Sequence, residues 1–213
     1  MLETWKQLIC GKTLMRSLMN QALSSHTLES GVVLDLGGGK DPSYFNYLRR
    51  CEGTNIVNID KQHGKDRDID FEIDALPYED GSIDQILMLN LLEHIYNHRF
   101  LVGEAQRVLK EGKTVIGFVP FLINYHADPH DYFRYTDEAL ELLFREAGFR
   151  NVTIRTIGMG PFSVNFNTLA SFMPSIFNAA VWPLHWLLDR ILLAMKPGFR
   201  KRFPLGYLFV LTK

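Results

Sequence analysis

Cysteine, net charge and long uninterrupted apolar runs are all scarce in this chain, and each shortage argues against a class of protein. The two cysteines among 213 residues, Cys10 and Cys51, stand in neither a metal-binding nor a redox spacing, which argues against a disulfide scaffold. The 23 basic and 24 acidic residues give a net charge of −1, so we expect no nucleic-acid partner. The N-terminus lacks the basic-then-apolar layout of a signal peptide. We therefore expect a cytoplasmic protein.

Charged side chains are also missing from one long segment, between Thr156 and Leu188. Three prolines and three asparagines interrupt it, whereas a membrane-spanning helix needs about twenty mainly apolar residues. We therefore expect a broken pair of helices that forms a lid over the substrate or a homodimer surface. The basic residues that follow, Lys196, Arg200, Lys201 and Arg202, leave peripheral membrane contact as an alternative.

Short apolar runs predict the strands of the core. Those at 32–37, 55–60, 83–90 and 113–120 alternate with helical patterns, which indicates an α/β protein with a parallel sheet. Residues 152–158 and 206–212 look like two further strands. We expect one domain over 1–213: a helical extension at 1–30, a core at 31–158, an apolar helical insertion at 159–203 and a last strand at 204–213.

Three helices are marked by apolar spacing and by end signals. The first is an amphipathic N-terminal helix with Leu2, Trp5 and Leu8 on one face. The stretch HRFLVGEAQRVLKEG predicts a second that stops at Gly112. In TDEALELLFREAG, Thr136 is an N-cap and acidic residues fill the first turn.

A glycine-rich turn follows the first long strand. Asp35 is followed by Leu36 and then by Gly37, Gly38 and Gly39, which places a ligand at the carboxyl edge of the sheet. Asp60 ends the next strand about twenty residues later, where a carboxylate can accept hydrogen bonds from ribose hydroxyls.

The identity of that ligand depends on Asp41, which stands where a dinucleotide fingerprint has its third glycine. Asp41 and Pro42 suit the N-cap and the first residue of a helix. The Asp41 carboxylate would, however, repel the pyrophosphate of a dinucleotide bound at that position. With Asp35, Asp60 and Asp74 the predicted pocket is acidic. It therefore favours S-adenosylmethionine, which is positively charged, over NAD.

Several stretches together resemble the class I S-adenosylmethionine-dependent methyltransferases, in particular their small-molecule branch: VVLDLGGGKDP, NIVNID, IDALPYEDGSIDQILMLNLLEHI, RVLKEGKTVIGFVP and DYFRYTDEALELLFREAGF. The resemblance covers roughly residues 31–158. It implies a doubly wound, Rossmann-like, seven-stranded sheet that is mostly parallel, with helices on both faces. Its antiparallel last strand, GYLFVLT, would pair with VTIRTIG.

The resemblance also implies roles for particular residues. It places Asp35, Gly37, Gly38 and Gly39 at the methionine part of the cofactor, Asp60 and Lys61 at the ribose, Asp74 and Ala75 at the adenine, and Asn90 and Leu91 beneath the reacting methyl group.

The stretch NYHADPHDYFRYT follows the predicted strand at 113–120, so we expect it at the same carboxyl edge of the sheet. His126 and His130 have the spacing of two metal ligands on a helix, but Pro129 disfavours a helix there, so we expect no metal. In a catalytic interpretation the general base is either His130, with Asp131 beside it, or His126.

Four other residues are candidates for contact with the substrate: His94, Tyr132, Arg134 and Tyr135. Of these, Arg134 would bind an anionic group of the substrate. The structural alternative pairs Asp131 with Arg134, packs the tyrosines against the sheet and places His94 beneath the cofactor.

The resulting functional hypothesis is methyl transfer from S-adenosylmethionine to a small molecule, with S-adenosylhomocysteine as product. Oxygen is the favoured acceptor atom, in a sugar, lipid or lipid-linked glycan. Nitrogen of proteins or nucleic acids is less favoured, because no added recognition domain is visible and NLLE stands where amino-methylating relatives have a stretch like NPPY or DPPY. A non-catalytic, cofactor-binding regulatory or scaffold protein is the alternative from another class.

Overall fold

Strands and helices are assigned over most of the chain. The computed structural model describes residues 2–40, 42–60 and 67–213. Asp41 and Lys61 lie outside the described residues, so the roles expected of them as N-cap and as cofactor contact stay predictions.

Within those ranges the strands form one sheet of seven and one of two. In chain order they are β1 (Thr27–Leu28), β2 (Gly31–Leu36), β3 (Arg49–Arg50), β4 (Thr54–Asp60), β5 (Arg67–Asp68), β6 (Ile83–Leu89), β7 (Leu109–Pro120), β8 (Asn151–Ile157) and β9 (Gly206–Thr212). The large sheet has the order β5-β4-β2-β6-β7-β9-β8, and β1 pairs with β3. The first five strands of that order, from β5 through β4, β2 and β6 to β7, are parallel to one another. Strand β9 is antiparallel to both of its neighbours. The predicted fold class is confirmed.

Strand β9 lies between β7 and β8, and two glycines make room for aromatic rings at its pairing with β7. Gly117 of β7 stands opposite Phe209 of β9, and a Cβ on Gly117 would overlap that ring. A Cβ on Gly206 would likewise overlap the ring of Phe118. Both rings are fully buried, so close backbone approach and tight side-chain packing occur together.

Helices cover both faces of the sheet. They are α1 (Leu2–Ile9), α2 (Leu14–Leu23), α3 (His98–Val108), α4 (Asp137–Glu146), α5 (Pro161–Ala170), α6 (Ser175–Met195) and α7 (Phe199–Arg202), with 3-10 turns at Ser43–Asn46 and Leu92–His94. Helices α3 and α4 bury Leu101 and Phe144 against one face. Helix α2 buries Met19 and Leu23 against the other.

Two predicted helix boundaries are wrong. The helix expected from Pro42 is only the 3-10 turn at Ser43–Asn46, because Tyr44 turns inward to bond Asp35 and the chain soon enters β3. Helix α3 ends at Val108, before Gly112, because Leu109 is fully buried and pairs with β6 at Ile83.

The apolar segment after β8 forms a helical layer with the N-terminus. Leu8 of α1, Phe166 of α5 and Trp182 of α6 belong to one buried cluster. The indole of Trp5 donates a hydrogen bond to the carbonyl of Ala179 at 2.9 Å. In the described ranges, no helix combines the length and the hydropathy needed to span a membrane.

Candidate active site

The glycine turn after β2 forms the floor of the site. Gly37 and Gly39 have φ angles of 70° and 66°, a region in which glycine has no steric penalty. The Gly37 amide donates to the carbonyl of Ile59 at 2.8 Å, and the Gly39 amide donates to Oδ2 of Asp60 at 2.9 Å. The turn is thereby attached to the end of β4.

Asp35 supports this turn from behind. It is fully buried, with Oδ1 accepting from the Tyr44 hydroxyl at 2.5 Å and Oδ2 accepting from Nδ2 of Asn58 at 2.9 Å. A Cβ on Gly38 would overlap all three of these side chains. Burial raises the pKa of Asp35 to about 6, although both hydrogen bonds oppose the shift. The structure therefore places Asp35 beneath the glycine turn.

A cavity of about 690 Å³ opens above the turn. Among the predicted cofactor residues, those in its wall are Gly37, Gly38, Gly39, Asp60, Asn90 and Leu91. Asn90 has a φ of 52°, which is uncommon for a residue other than glycine. A Cβ on Gly37 would run into the Leu91 side chain, so the two segments meet closely where the wall is formed.

The predicted adenine contacts lie elsewhere. Asp74 and Ala75 are absent from the cavity wall as far as the described residues define it, and Phe71 and Glu72 line it instead. The Asp74 carboxylate closes its own turn by accepting from the Asp70 amide at 3.0 Å. Glu72 accepts from the amides of Tyr96 and Asn97, each at 2.7 Å.

The loop after β7 divides into residues that hold it and residues that face the cavity. Arg134 forms a two-point ion pair with Asp131, at 2.5 Å and 2.6 Å, and Asp131 also accepts from the His126 amide at 2.9 Å. Although burial opposes ionisation, Arg134 holds the pKa of Asp131 at about 2. The Tyr135 hydroxyl donates to the Leu92 carbonyl at 3.1 Å. Asp131, Arg134 and Tyr135 therefore fix the loop.

The remaining predicted side chains come together in the cavity wall. His94, His126, His130 and Tyr132 all line it, together with the glycine turn. The rings of His130 and Tyr132 lie with centroids 5.1 Å apart. His94 and His126 meet edge to face at 5.1 Å.

Sequence reasoning missed two groups of this site. Glu93 is fully buried between His94 and His126, and its carboxylate, followed by Asp131, raises the pKa of His126 above its ordinary value. The sequence feature that could have indicated Glu93 is the acidic residue within the otherwise apolar stretch LLEHI. Arg16 of α2 also lines the cavity, but a single arginine in a helix distant in sequence carries no signal of that contact.

The fold and this site define an α/β protein of the methyltransferase type. The sequence model of the methyltransferase-domain family matches residues 11–154, which is more than half of the chain, and the chain belongs to that family. It is a class I enzyme that depends on S-adenosylmethionine, as the sequence predicted.

Solved structures with the same fold catalyse different reactions. A SAM-dependent methyltransferase from Archaeoglobus fulgidus is 20% identical, with a TM-score of 0.58, over 93% of this chain and 94% of that one. The [4+2]-cyclase SpnF is 17% identical, with a TM-score of 0.57, over 94% and 81%. Geranyl diphosphate C-methyltransferase from Streptomyces coelicolor A3(2) is 11% identical, with a TM-score of 0.53, over 92% and 74%. No curated protein matches the sequence. These likenesses show the fold and do not determine the acceptor.

The residues present fit S-adenosylmethionine. Its ammonium and sulfonium suit a cavity with Asp60 in its wall, and the glycine turn lets the backbone approach closely because a side chain at Gly38 would overlap its neighbours. Asp60 would hold the ribose, and Arg16 would face the carboxylate of the amino-acid part. When bound, the cofactor supplies an electrophilic methyl group on a positively charged sulfur.

Proposed function

We propose that this enzyme methylates an oxygen atom of a small-molecule acceptor, with S-adenosylhomocysteine as the second product. The observation that carries this proposal is the composition of the cavity wall beyond Asn90 and Leu91. There three histidines and Tyr132 face the space next to the expected cofactor position. These side chains can bind a hydroxyl group and accept its proton.

The reaction requires alignment and the removal of one proton. The acceptor oxygen approaches the methyl carbon from the side opposite the sulfur; the new C–O bond forms as the C–S bond breaks and its electron pair stays on sulfur. The hydroxyl proton passes to a base, for which we propose His130. The ion pair of Asp131 with Arg134 keeps the loop in place, so in this proposal Asp131 positions His130 and does not exchange protons.

The cofactor-binding part of the proposal is tested by a matched pair of carboxylates. Asp60→Asn should weaken binding of S-adenosylmethionine at least about tenfold, because it removes charge-assisted hydrogen bonds worth roughly 1.5–3 kcal/mol. Asp74→Asn should bind as the wild type does, since Asp74 lies outside the cavity wall. Calorimetric titration measures both. Equal loss in the two variants would mean that the adenine contacts suggested by the resemblance are correct.

The proposed base is tested by His130→Ala. The variant should keep its affinity for S-adenosylmethionine and lose about two orders of magnitude in turnover, which is the usual contribution of a positioned general base. The assay is release of S-adenosylhomocysteine with a panel of phenols, sugars and lipid-linked alcohols, and with amines in parallel. Unchanged turnover would remove His130 from the mechanism, and methylation of amines alone would replace oxygen with nitrogen as acceptor.

The helical layer supports a lipid or lipid-linked acceptor. One face of α6 exposes Ile176, Leu184, Leu187, Ile191 and Met195. Basic residues of α7, Arg200, Lys201 and Arg202, follow this face. Apolar side chains with adjoining cations suit an anionic membrane surface, so we propose that this layer rests on such a surface.

A further inference from the structure

Glu93 is a buried acid whose carboxylate faces two imidazole rings. Its side chain is 0% exposed, and among the described residues neither carboxylate oxygen has a hydrogen-bond partner. An isolated buried carboxylate is costly unless a cation compensates it. Two imidazole nitrogens lie within 4 Å of its Oε1, so a cation at this point would also meet nitrogen ligands.

The three side chains have the dimensions of a small metal site. Oε1 of Glu93 lies 3.7 Å from Nε2 of His94 and 3.8 Å from Nε2 of His126, and one ligand atom from each residue fits within 4.8 Å of the others. Around a tetrahedral zinc ion with bonds of about 2.0–2.1 Å, ligand atoms stand roughly 3.3–3.4 Å apart. The two Glu93 distances would have to shorten by about 0.4 Å, and the distance between the two imidazole nitrogens, which is at most 4.8 Å, by up to about 1.5 Å.

The surroundings orient the His94 imidazole for coordination. Nδ1 of His94 lies 2.5 Å from the carbonyl oxygen of His130; it must donate there, which leaves the lone pair on Nε2, the atom nearest Glu93. Nδ1 of His126 lies between Oδ2 of Asp131, at 3.4 Å, and Nη2 of Arg134, at 3.3 Å, so coordination through Nε2 requires the Nδ1 proton to face Asp131. Such outer hydrogen bonds are usual for metal-binding histidines.

The backbone joins the two segments that supply the ligands. Glu93 and His94 belong to the 3-10 turn after β6, and His126 belongs to the loop after β7. The Tyr132 amide donates to the Glu93 carbonyl at 2.8 Å. The arrangement therefore does not depend on a helical spacing of His126 and His130, which Pro129 disfavours, and His130 contributes only its carbonyl.

We propose that Glu93, His94 and His126 bind a divalent cation of the zinc type, with an open coordination position toward the acceptor. A carboxylate and two histidines are a ligand set of catalytic zinc sites, which keep one position for water or substrate. His94 and His126 line the cavity, so an acceptor oxygen can reach that position. There the cation would lower the pKa of the hydroxyl group before methyl transfer. This role, though not the binding of the metal, rests on the proposed function.

The test is metal binding by the full chain after treatment with a chelator. Zn²⁺ should bind with one ion per chain, and Co²⁺ should give the visible absorption of a tetrahedral site. Glu93→Gln and His126→Ala should each weaken Zn²⁺ binding at least about tenfold, whereas His130→Ala, in the same loop, should leave it unchanged. Circular dichroism of each variant checks the fold, and His126→Ala, at a partly exposed position, provides the test if Glu93→Gln does not fold.

Absence of stoichiometric binding, or equal binding by all variants, would overturn the proposal and leave a carboxylate–imidazole pair. Titration with S-adenosylmethionine on the same preparations separates the two claims. Cofactor binding without metal binding would refute the metal site alone, and metal binding without methyl transfer to any acceptor would refute the proposed function alone.

Discussion

Asp35 shows how one residue can serve the site without touching its ligand. Its carboxylate is closed off by Tyr44 and Asn58, and the turn above it is so close that Gly38 cannot carry a side chain. The position of the glycine turn therefore depends on a buried acid whose ionisation is disfavoured by burial.

This burial predicts a pH dependence of stability. The pKa of Asp35 rises from 3.8 to about 6 on folding, so the folded state binds this proton more tightly than the unfolded state. The resulting penalty is fully present above about pH 6, declines as the pH falls, and is absent below about pH 4; at its largest it is about 3 kcal/mol.

Asp35→Asn should lack this contribution. The stability of the variant relative to the wild type should therefore be greater near neutral pH than near pH 4, as measured by urea unfolding over that range without cofactor. Because all other groups are shared, the difference isolates Asp35. Parallel pH profiles would show that its pKa is the same in the folded and unfolded states.

At the scale of the element, glycines in α3 and β7 have opposite roles. Gly103 lies inside α3, and a Cβ there would meet nothing within 4 Å. Gly117 lies in β7, where a Cβ would overlap the Phe209 ring and the backbone of Met88.

Alanine substitutions should separate these two cases. Gly103→Ala should stabilise the protein by about 0.5–1 kcal/mol through helix propensity. Gly117→Ala should destabilise the protein by about 1–3 kcal/mol through overpacking. Urea midpoints measure both. A stable Gly117→Ala variant would mean that β9 can move away from β7 at little cost.

At the scale of the whole molecule, the exposed face of the helical layer is a feature that the catalytic site does not explain. Phe172 and Ile176 are 80% and 77% exposed. Phe172 lies in the connection between α5 and α6, and Ile176 lies in the first turn of α6, on its apolar face. Leu142 of α4 is also exposed, at 57%, but it belongs to a helix that packs on the sheet and not in this layer.

Vesicle binding tests this face. The protein should co-sediment with vesicles containing phosphatidylglycerol more than with pure phosphatidylcholine, and less at high salt. Phe172→Ser combined with Ile176→Ser should reduce this binding several-fold, whereas Leu142→Ser should not. A dimer in sedimentation experiments that the double variant abolishes, without vesicle binding by either protein, would identify the face as a contact between two copies.

The order of elements followed from local patterns. Apolar runs located β2, β4, β6, β8 and β9, and Thr136 marked the start of α4, where its hydroxyl accepts from the Ala139 amide at 3.2 Å. The glycine turn and Asp60 were recognisable because ligand binding at a strand end needs those residue types at that spacing. Such signals lie within a few residues of the feature that they predict.

The composition of the acceptor side was decided only by the tertiary structure. The sequence by itself determined the fold class, the family and the cofactor, since these depend on periodicity and on short motifs. It did not determine that Asp131 pairs with Arg134, that Asp74 closes its own turn, or that Glu93 lies buried between two histidines from separate loops. Each of these depends on distances between side chains from different segments, and the packing of the loops after β6 and β7 sets those distances.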